Sequence, residues 1–212
     1  MLYVDERNVA HSSPDSNHGA TQLLALKSVP IPRSHVLKIK EGLPVGQAAT
    51  QYEGQLLSLK RKILPRTADG GWPVIDLVLL GVGPDGHVAS LFPNSQELAA
   101  TAGWVLPVTN SPKPPPERIT LSLPVLNAAK HVAVVALGGG KAEVVQRALE
   151  VQALPGSLPV QLVRPKAGTL TWLLDTAAAA LLTPEAWQIP PGGKKSDWKF
   201  PRNELPPAPA QD

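Results

Sequence analysis

"VIDLVLLGVGPDGHVASLFP", residues 74–93, is the segment on which the fold turns. Its first residues, 74–80, form a nearly continuous apolar run, with Gly71 and Pro73 before it and Gly81 after it. Such a run predicts a central parallel strand buried on both faces. Gly81, Gly83 and Gly86 then follow with the G-x-G-x-x-G spacing of a dinucleotide fingerprint. A dinucleotide unit also needs a helix from the last glycine and a second strand ending in Asp or Glu about 20 residues on. Here Pro93 interrupts the helix, and "LAATAGWVLPVTN", 98–110, ends on no acid. The glycines therefore do not argue for a nicotinamide. They let backbone approach some other ligand, and they are followed directly by His87.

Working outward, the chain alternates strand and helix signals. "LYV", 2–4, reads as the end of a buried strand, followed by "DER", 5–7, and a turn cluster "SSPDSNHG", 12–19. "HVLKI", 35–39, is a strand candidate, and 47–63 a helix on the spacing of Ala48, Tyr52, Leu56, Leu59 and Ile63. Further strands are expected at "WVLPVT" (104–109), "RITLSL" (118–123), "VAVVAL" (132–137), "LPVQLV" (158–163) and "LTWLL" (170–174). Helices are expected at 124–131 behind a proline, after the glycines of "GGGKAEVVQRALE" (138–150), and at "DTAAAALL" (175–182) capped by Asp175. The alternation predicts an α/β layered domain over 1–182. The remainder, 183–212, is rich in proline and charge and reads as a disordered tail.

Composition narrows the function. The 212 residues suit one domain, and 43% hydrophobic content is enough for a sizeable core. A net charge of +3 is compatible with an anionic small molecule but decides little alone. Cysteine is absent, which excludes disulfides, thiolate metal sites and cysteine nucleophiles. No stretch reaches the ~20 apolar residues of a membrane-spanning helix, and the first residues lack a signal-peptide layout. A cytoplasmic protein that binds neither membrane nor nucleic acid is the expectation. No H-x-x-x-H or H-x-H spacing occurs, so no metal is expected.

His87 has the surroundings of a reactive group. It follows the C-terminal end of a strand, where open α/β sheets place their ligand crevice, and Asp85 lies just before it. An imidazole with an ordinary pKa near 6.5 can take a proton from water; a structural turn histidine is the competing reading. His11, His18, His35 and His131 have weaker contexts, and Ser90 is not in a G-x-S-x-G elbow. "DER" places Asp5 and Arg7 at a strand end that could share the crevice, although a surface ion-pair cluster is the simpler reading of the tripeptide. "SPKPPPERIT", 111–120, is a stiff loop presenting Lys113 and leading to Arg118, a way to hold a phosphorylated ligand. "GGGKA", 138–142, is not a P-loop, because Val135 and Ala142 stand where glycine and a hydroxyl residue belong. Lys141 there either faces an anion or lies in a solvated turn.

Together "DER", "PDSNHG", "DLVLLGVGPDGHVASLFP", "SPKPPPERITLSLPVLNAAKH", "GGGKAEVVQRAL" and "GTLTWLLDTAAA" resemble the 6-phosphogluconolactonase family, in the family's order, over residues 3 to about 181. The resemblance implies a three-layer α/β/α Rossmann-like fold of the glucosamine-6-phosphate deaminase/ribose-5-phosphate isomerase type. It also implies hydrolysis of 6-phosphogluconolactone in the oxidative pentose phosphate pathway, with no cofactor. Carried over by motif, His87 is the general base and Asp5 helps position the reacting groups. Arg7 lies in the same site; Arg118 and Lys141 hold the phosphate, with Lys113 as a further contributor. Asp85 and Asn17 shape the site, and backbone amides of the Gly81–Gly86 loop, which includes Gly83, are expected to meet the oxyanion. The related deaminases carry a glutamate where this chain has Phe92, which disfavours sugar isomerisation or deamination. Family members have a strand–helix portion with an S-G-G-S-type phosphate loop before "DER". The resemblance therefore implies an N-terminally truncated domain, with an impaired homologue as one alternative and a plastid form as another if a targeting segment lies upstream.

Overall fold

A computed structural model describes residues 1–151, 153–154 and 156–183. The tail expected over 183–212 thus lies outside the described residues, apart from Thr183. Among the described residues, six strands form two three-stranded sheets. β2 (Leu77–Gly81), β5 (His131–Ala136) and β6 (Thr169–Leu174) run parallel in the order β2-β5-β6, with Leu79 opposite Ala133 and Ala133 opposite Thr171. β1 (Asp5–Arg7), β3 (Val105–Val108) and β4 (Arg118–Leu121) are antiparallel in the order β1-β4-β3. The two "strand end" carriers Asp5 and Arg7 are therefore the strand itself, and "LYV" only leads into it.

The helices follow their apolar periods. α2 (Val45–Ser58) buries Val45, Ala48, Ala49, Tyr52 and Leu56 and packs on β3 and β4. The Tyr52 hydroxyl bonds both the N–H and the carbonyl of Tyr3, at 2.7 and 3.2 Å, joining this helix to the segment before β1. α2 ends five residues short of the expected helix: Leu59 is extended, and a turn on the Lys60 carbonyl buries Leu64 while Ile63 stays exposed. α3 (Leu123–Asn127) is short, and α4 (Ala142–Glu150) buries Val144, Val145 and Leu149 against the core.

Several expectations are corrected. Within the expected turn cluster, α1 (Asn17–Leu24) begins because Ser16 caps it, its hydroxyl accepting from the Gly19 N–H. The 35–39 segment forms no ladder; it follows a 3₁₀ turn at Arg33–His35. "LPVQLV" is also a 3₁₀ turn, Pro159–Leu162, with proline at its start. The 175–182 segment makes turns, and Asp175 accepts from the N–H groups of both Ala178 and Gly138. Most informative is β2. Val78 and Leu80 are buried, whereas Leu77 and Leu79 are 56% and 59% exposed, so this strand is buried on one face rather than two.

Candidate active site

The parallel strands β2 and β5 end at Gly81 and Ala136, and the loops after them form one wall of a polar cavity of about 430 Å³. The other walls come from β1, the start of α1 and the loop before β4. Asp5, Arg7, Asn17, Gly83, His87, Lys113, Arg118 and Lys141 all line it. The fold thus brings together the carriers proposed from five separate stretches of sequence. A crevice at the carboxyl ends of parallel strands is the expected ligand position for such a sheet.

His87 is held from one side. Its Nδ1 lies 2.5 Å from Asp85 Oδ1, and a neutral ring that donates from Nδ1 keeps a lone pair on Nε2. Phe92 packs beside the imidazole, with ring centroids 4.7 Å apart and planes inclined by 30°. Burial lowers the His87 pKa from its ordinary 6.5; the hydrogen bond and charge of Asp85 work against this, and the charge of Lys113 works with it. Burial alone would raise the Asp85 carboxyl, but the His87 and Lys113 contacts prevail and hold it below its ordinary value. Lys113 Nζ stands 3.3 Å from both Asp85 Oδ1 and His87 Nδ1.

Two glycines make this arrangement possible. A Cβ on Gly83 would collide with the His87 ring and the Asp85 carboxylate, and Gly86 has φ +81° with its Cα against Leu158. Val160 N–H donates to the Gly86 carbonyl at 2.9 Å, so the 3₁₀ turn braces the loop from behind. The amides of Gly83 and Gly86 donate within the loop, to the His87 and Gly83 carbonyls at 2.9 Å each. Of the Gly81–Gly86 amides expected at an oxyanion, those of Gly83 and Gly86 are thus engaged within the loop, and Gly83 supplies space.

The cations differ in how far they are committed. Arg118 is 3% exposed; its Nε donates to Pro115 O, and its Nη2 donates to the carbonyls of Lys113 and Pro114 at 2.8 and 2.9 Å. Most of this guanidinium shapes the proline loop, and its Nη1 lies 3.5 Å from Ser90 Oγ. Arg7 donates from Nη1 to Asp15 O, while its buried Nε has no hydrogen-bond partner among the described residues. Lys141 Nζ rests on the Val82 carbonyl at 2.9 Å. Among the described residues no group of three or more histidines and carboxylates is placed to hold a metal.

Two residues escaped sequence reasoning. Glu6 alternates with Asp5 and Arg7 along β1, so it points away from the cavity and is 1% exposed. Its carboxylate accepts from the N–H groups of Arg7, Asn17 and His18 and from Ser16 Oγ, at 2.6–3.3 Å. It thereby fixes the start of α1, whose Asn17 Nδ2 donates to Asp5 O and Oδ1 at 3.0 and 3.2 Å. An acid alternating with site residues, ahead of an uncharged helix start, was the available signal. Ser90, fully buried, donates to Asp5 Oδ2 at 2.7 Å; no local motif marks that contact.

With this geometry in place, comparison with known proteins is specific. The profile of the family described as glucosamine-6-phosphate isomerases/6-phosphogluconolactonase matches residues 1–172. A human protein named 6-phosphogluconolactonase is 46% identical over 181 residues, covering 85% of this chain and 67% of the human one. The solved 6-phosphogluconolactonase of Leishmania guyanensis is similar with a TM-score of 0.72 and 31% identity, over 86% of this chain and 74% of that one. That of Trypanosoma brucei gives 0.71 and 32%, over 86% and 73%. These likenesses extend to the three-layer α/β/α architecture.

Proposed function

The chain belongs to the glucosamine-6-phosphate isomerase/6-phosphogluconolactonase family, and from that membership we propose that it hydrolyses 6-phospho-D-glucono-1,5-lactone to 6-phosphogluconate, as a step of the pentose phosphate pathway. The observation that carries this reading is the His87 imidazole, tethered at Nδ1 by Asp85, beside four cationic side chains in one cavity. His87 Nε2 takes a proton from water as the water oxygen attacks the lactone carbonyl. The C1–ring-oxygen bond then breaks, and the departing ring oxygen takes the proton back from the imidazolium. Asp5 accepts from substrate hydroxyls and fixes their orientation. Arg7, Lys141 and the remaining Nη1 of Arg118 bind the phosphate, with Lys113 nearer the reacting carbonyl. Gly83 gives the substrate room beside the histidine.

Phe92 speaks against the isomerase and deaminase branch of the family. It packs on His87, where a second proton carrier for ring opening would be needed. The test is acid release from freshly prepared lactone, with purified protein whose folding is verified by circular dichroism. Rates above spontaneous hydrolysis support the reading; rates equal to it from a folded chain refute it and leave a sugar-phosphate-binding homologue. His87→Ala should abolish most of the acceleration while retaining affinity for 6-phosphogluconate. The reading places the reaction in the cytoplasm, where imaging of the tagged chain would find it diffuse; plastid labelling would overturn that placement.

A further inference from the structure

We propose that Ser90 is a positioning residue, whose hydroxyl joins Arg118 to Asp5 and fixes the lone pairs that Asp5 offers the cavity. The proposal rests on the hydrolase reading only for the reaction it is assayed with.

Ser90 is 0% exposed, and its own N–H is anchored on Thr120 Oγ1 at 3.2 Å. Thr120 lies directly opposite Asp5 across the β1–β4 ladder, so the serine is seated against the strand pair that carries the site. Its hydroxyl has one hydrogen and two lone pairs. Arg118 Nη1, 3.5 Å away, can only donate; Asp5 Oδ2, 2.7 Å away, can only accept when ionised. The direction of the hydroxyl is therefore set by its neighbours. The same bonds remove the serine from consideration as a nucleophile, because it is buried and its proton is directed at a carboxylate.

Asp5 is held on both oxygens, by Asn17 at Oδ1 and Ser90 at Oδ2. A carboxylate held only through Oδ1 could rotate about its terminal torsion, which is intrinsically broad. Held through both, it presents the remaining lone pairs in one direction. Ser90 lies three residues beyond His87, and Ala89 between them has φ +49°. The backbone thus turns so that the imidazole and the Asp5 tether come from one short segment.

The test is a double-mutant cycle of Ser90→Ala and Asp5→Asn. Steady-state hydrolysis and calorimetric binding of 6-phosphogluconate are measured on all four proteins, and thermal melts verify folding. Ser90→Ala should lower kcat about tenfold, the scale of a hydrogen bond to a charged group. In the Asp5→Asn background the same change should cost less than about twofold, because the group it acts through is already altered. Ser90→Cys, which keeps a weaker donor of similar size, should fall between serine and alanine. A serine that serves packing alone would give multiplicative losses; that result, or parental kcat in Ser90→Ala, overturns the proposal. If the parent releases no acid, the hydrolase reading fails separately. The binding cycle then decides: coupling between the two substitutions upholds the link, and additivity or absence of binding overturns it.

Discussion

At the scale of single residues, His87 is set by opposing influences whose signs can be tested apart. Burial and Lys113 lower its proton affinity, while Asp85 and the charge of Asp5 raise it, and the net result lies below 6.5. The ring therefore stays neutral, and able to act as a base, to lower pH than a free imidazole. The acid limb of kcat/KM should have its midpoint below 6.5. Lys113→Met removes a lowering influence, so the midpoint should move upward; Asp85→Asn removes a raising one, so it should move downward. Titration of the His87 ring by NMR in the ligand-free protein checks both directions, and shifts of the same sign would contradict the account. Asp85→Asn should also reduce kcat by roughly 10²–10⁴, since an amide no longer enforces the Nδ1–H tautomer. The stability contribution has a matching sign: with the folded-state pKa depressed, what His87 adds is present above its unfolded value and lost as pH falls through the folded one.

At the scale of elements, the site depends on two braces, Arg118 and Glu6, whose hydrogen bonds are made mostly to neighbouring backbone. Arg118 gathers the carbonyls of residues 113–115, so its fork shapes the loop that presents Lys113. Arg118→Lys keeps one charge but cannot span three carbonyls; it should raise KM about tenfold with a smaller change in kcat, read by steady-state kinetics. Glu6 braces α1, and Glu6→Gln would set an amide N–H₂ against backbone donors that lack another acceptor. A loss of about 1–3 kcal/mol in urea denaturation is expected. These braces also explain what the sequence could reveal. β5 and β6 are legible because an apolar run gives the strand directly; His87 stands out by its glycine-rich context, whereas Asp5 and Arg7 enter the crevice only through the resemblance, because the tripeptide alone reads as a surface ion-pair cluster. Ser90 and Glu6 act on partners 85 and about a dozen residues away, through contacts that only the folded chain creates. The 3₁₀ turn at Pro159–Leu162 was mistaken for a strand because its apolar run packs on the Gly86 loop instead of joining a ladder. α1 was hidden by Asn, His and Gly in its first turn, which Ser16 and Glu6 compensate.

At the scale of the whole molecule, the two sheets share one core but differ in how their outer faces are treated. Val78 and Leu80 of β2 and Val132, Val134 and Ala136 of β5 point inward to the common cluster. The opposite face carries Leu77, Leu79 and Leu173, each at least 50% exposed, and β2 is the last strand of its sheet. The ladder places Leu79 beside Ala133 and Thr171, and Gly81 beside Val135 and Leu173, so the leucines flank a band of small and apolar side chains. An apolar band on an edge-strand sheet favours association between molecules, because it offers both burial and unpaired backbone groups. The active cavity opens elsewhere: Leu77 and Leu79 do not line it. Aggregation and catalysis should therefore separate. Leu79→Thr introduces a β-branched residue that suits a strand while removing apolar surface, and should lower light scattering at a given concentration while kcat/KM stays within about twofold of the parent. Leu77→Lys, which adds charge on the same edge strand, should lower it further. Unchanged scattering in both variants would show that this face does not drive association, and a large loss of activity would show that it is coupled to the site.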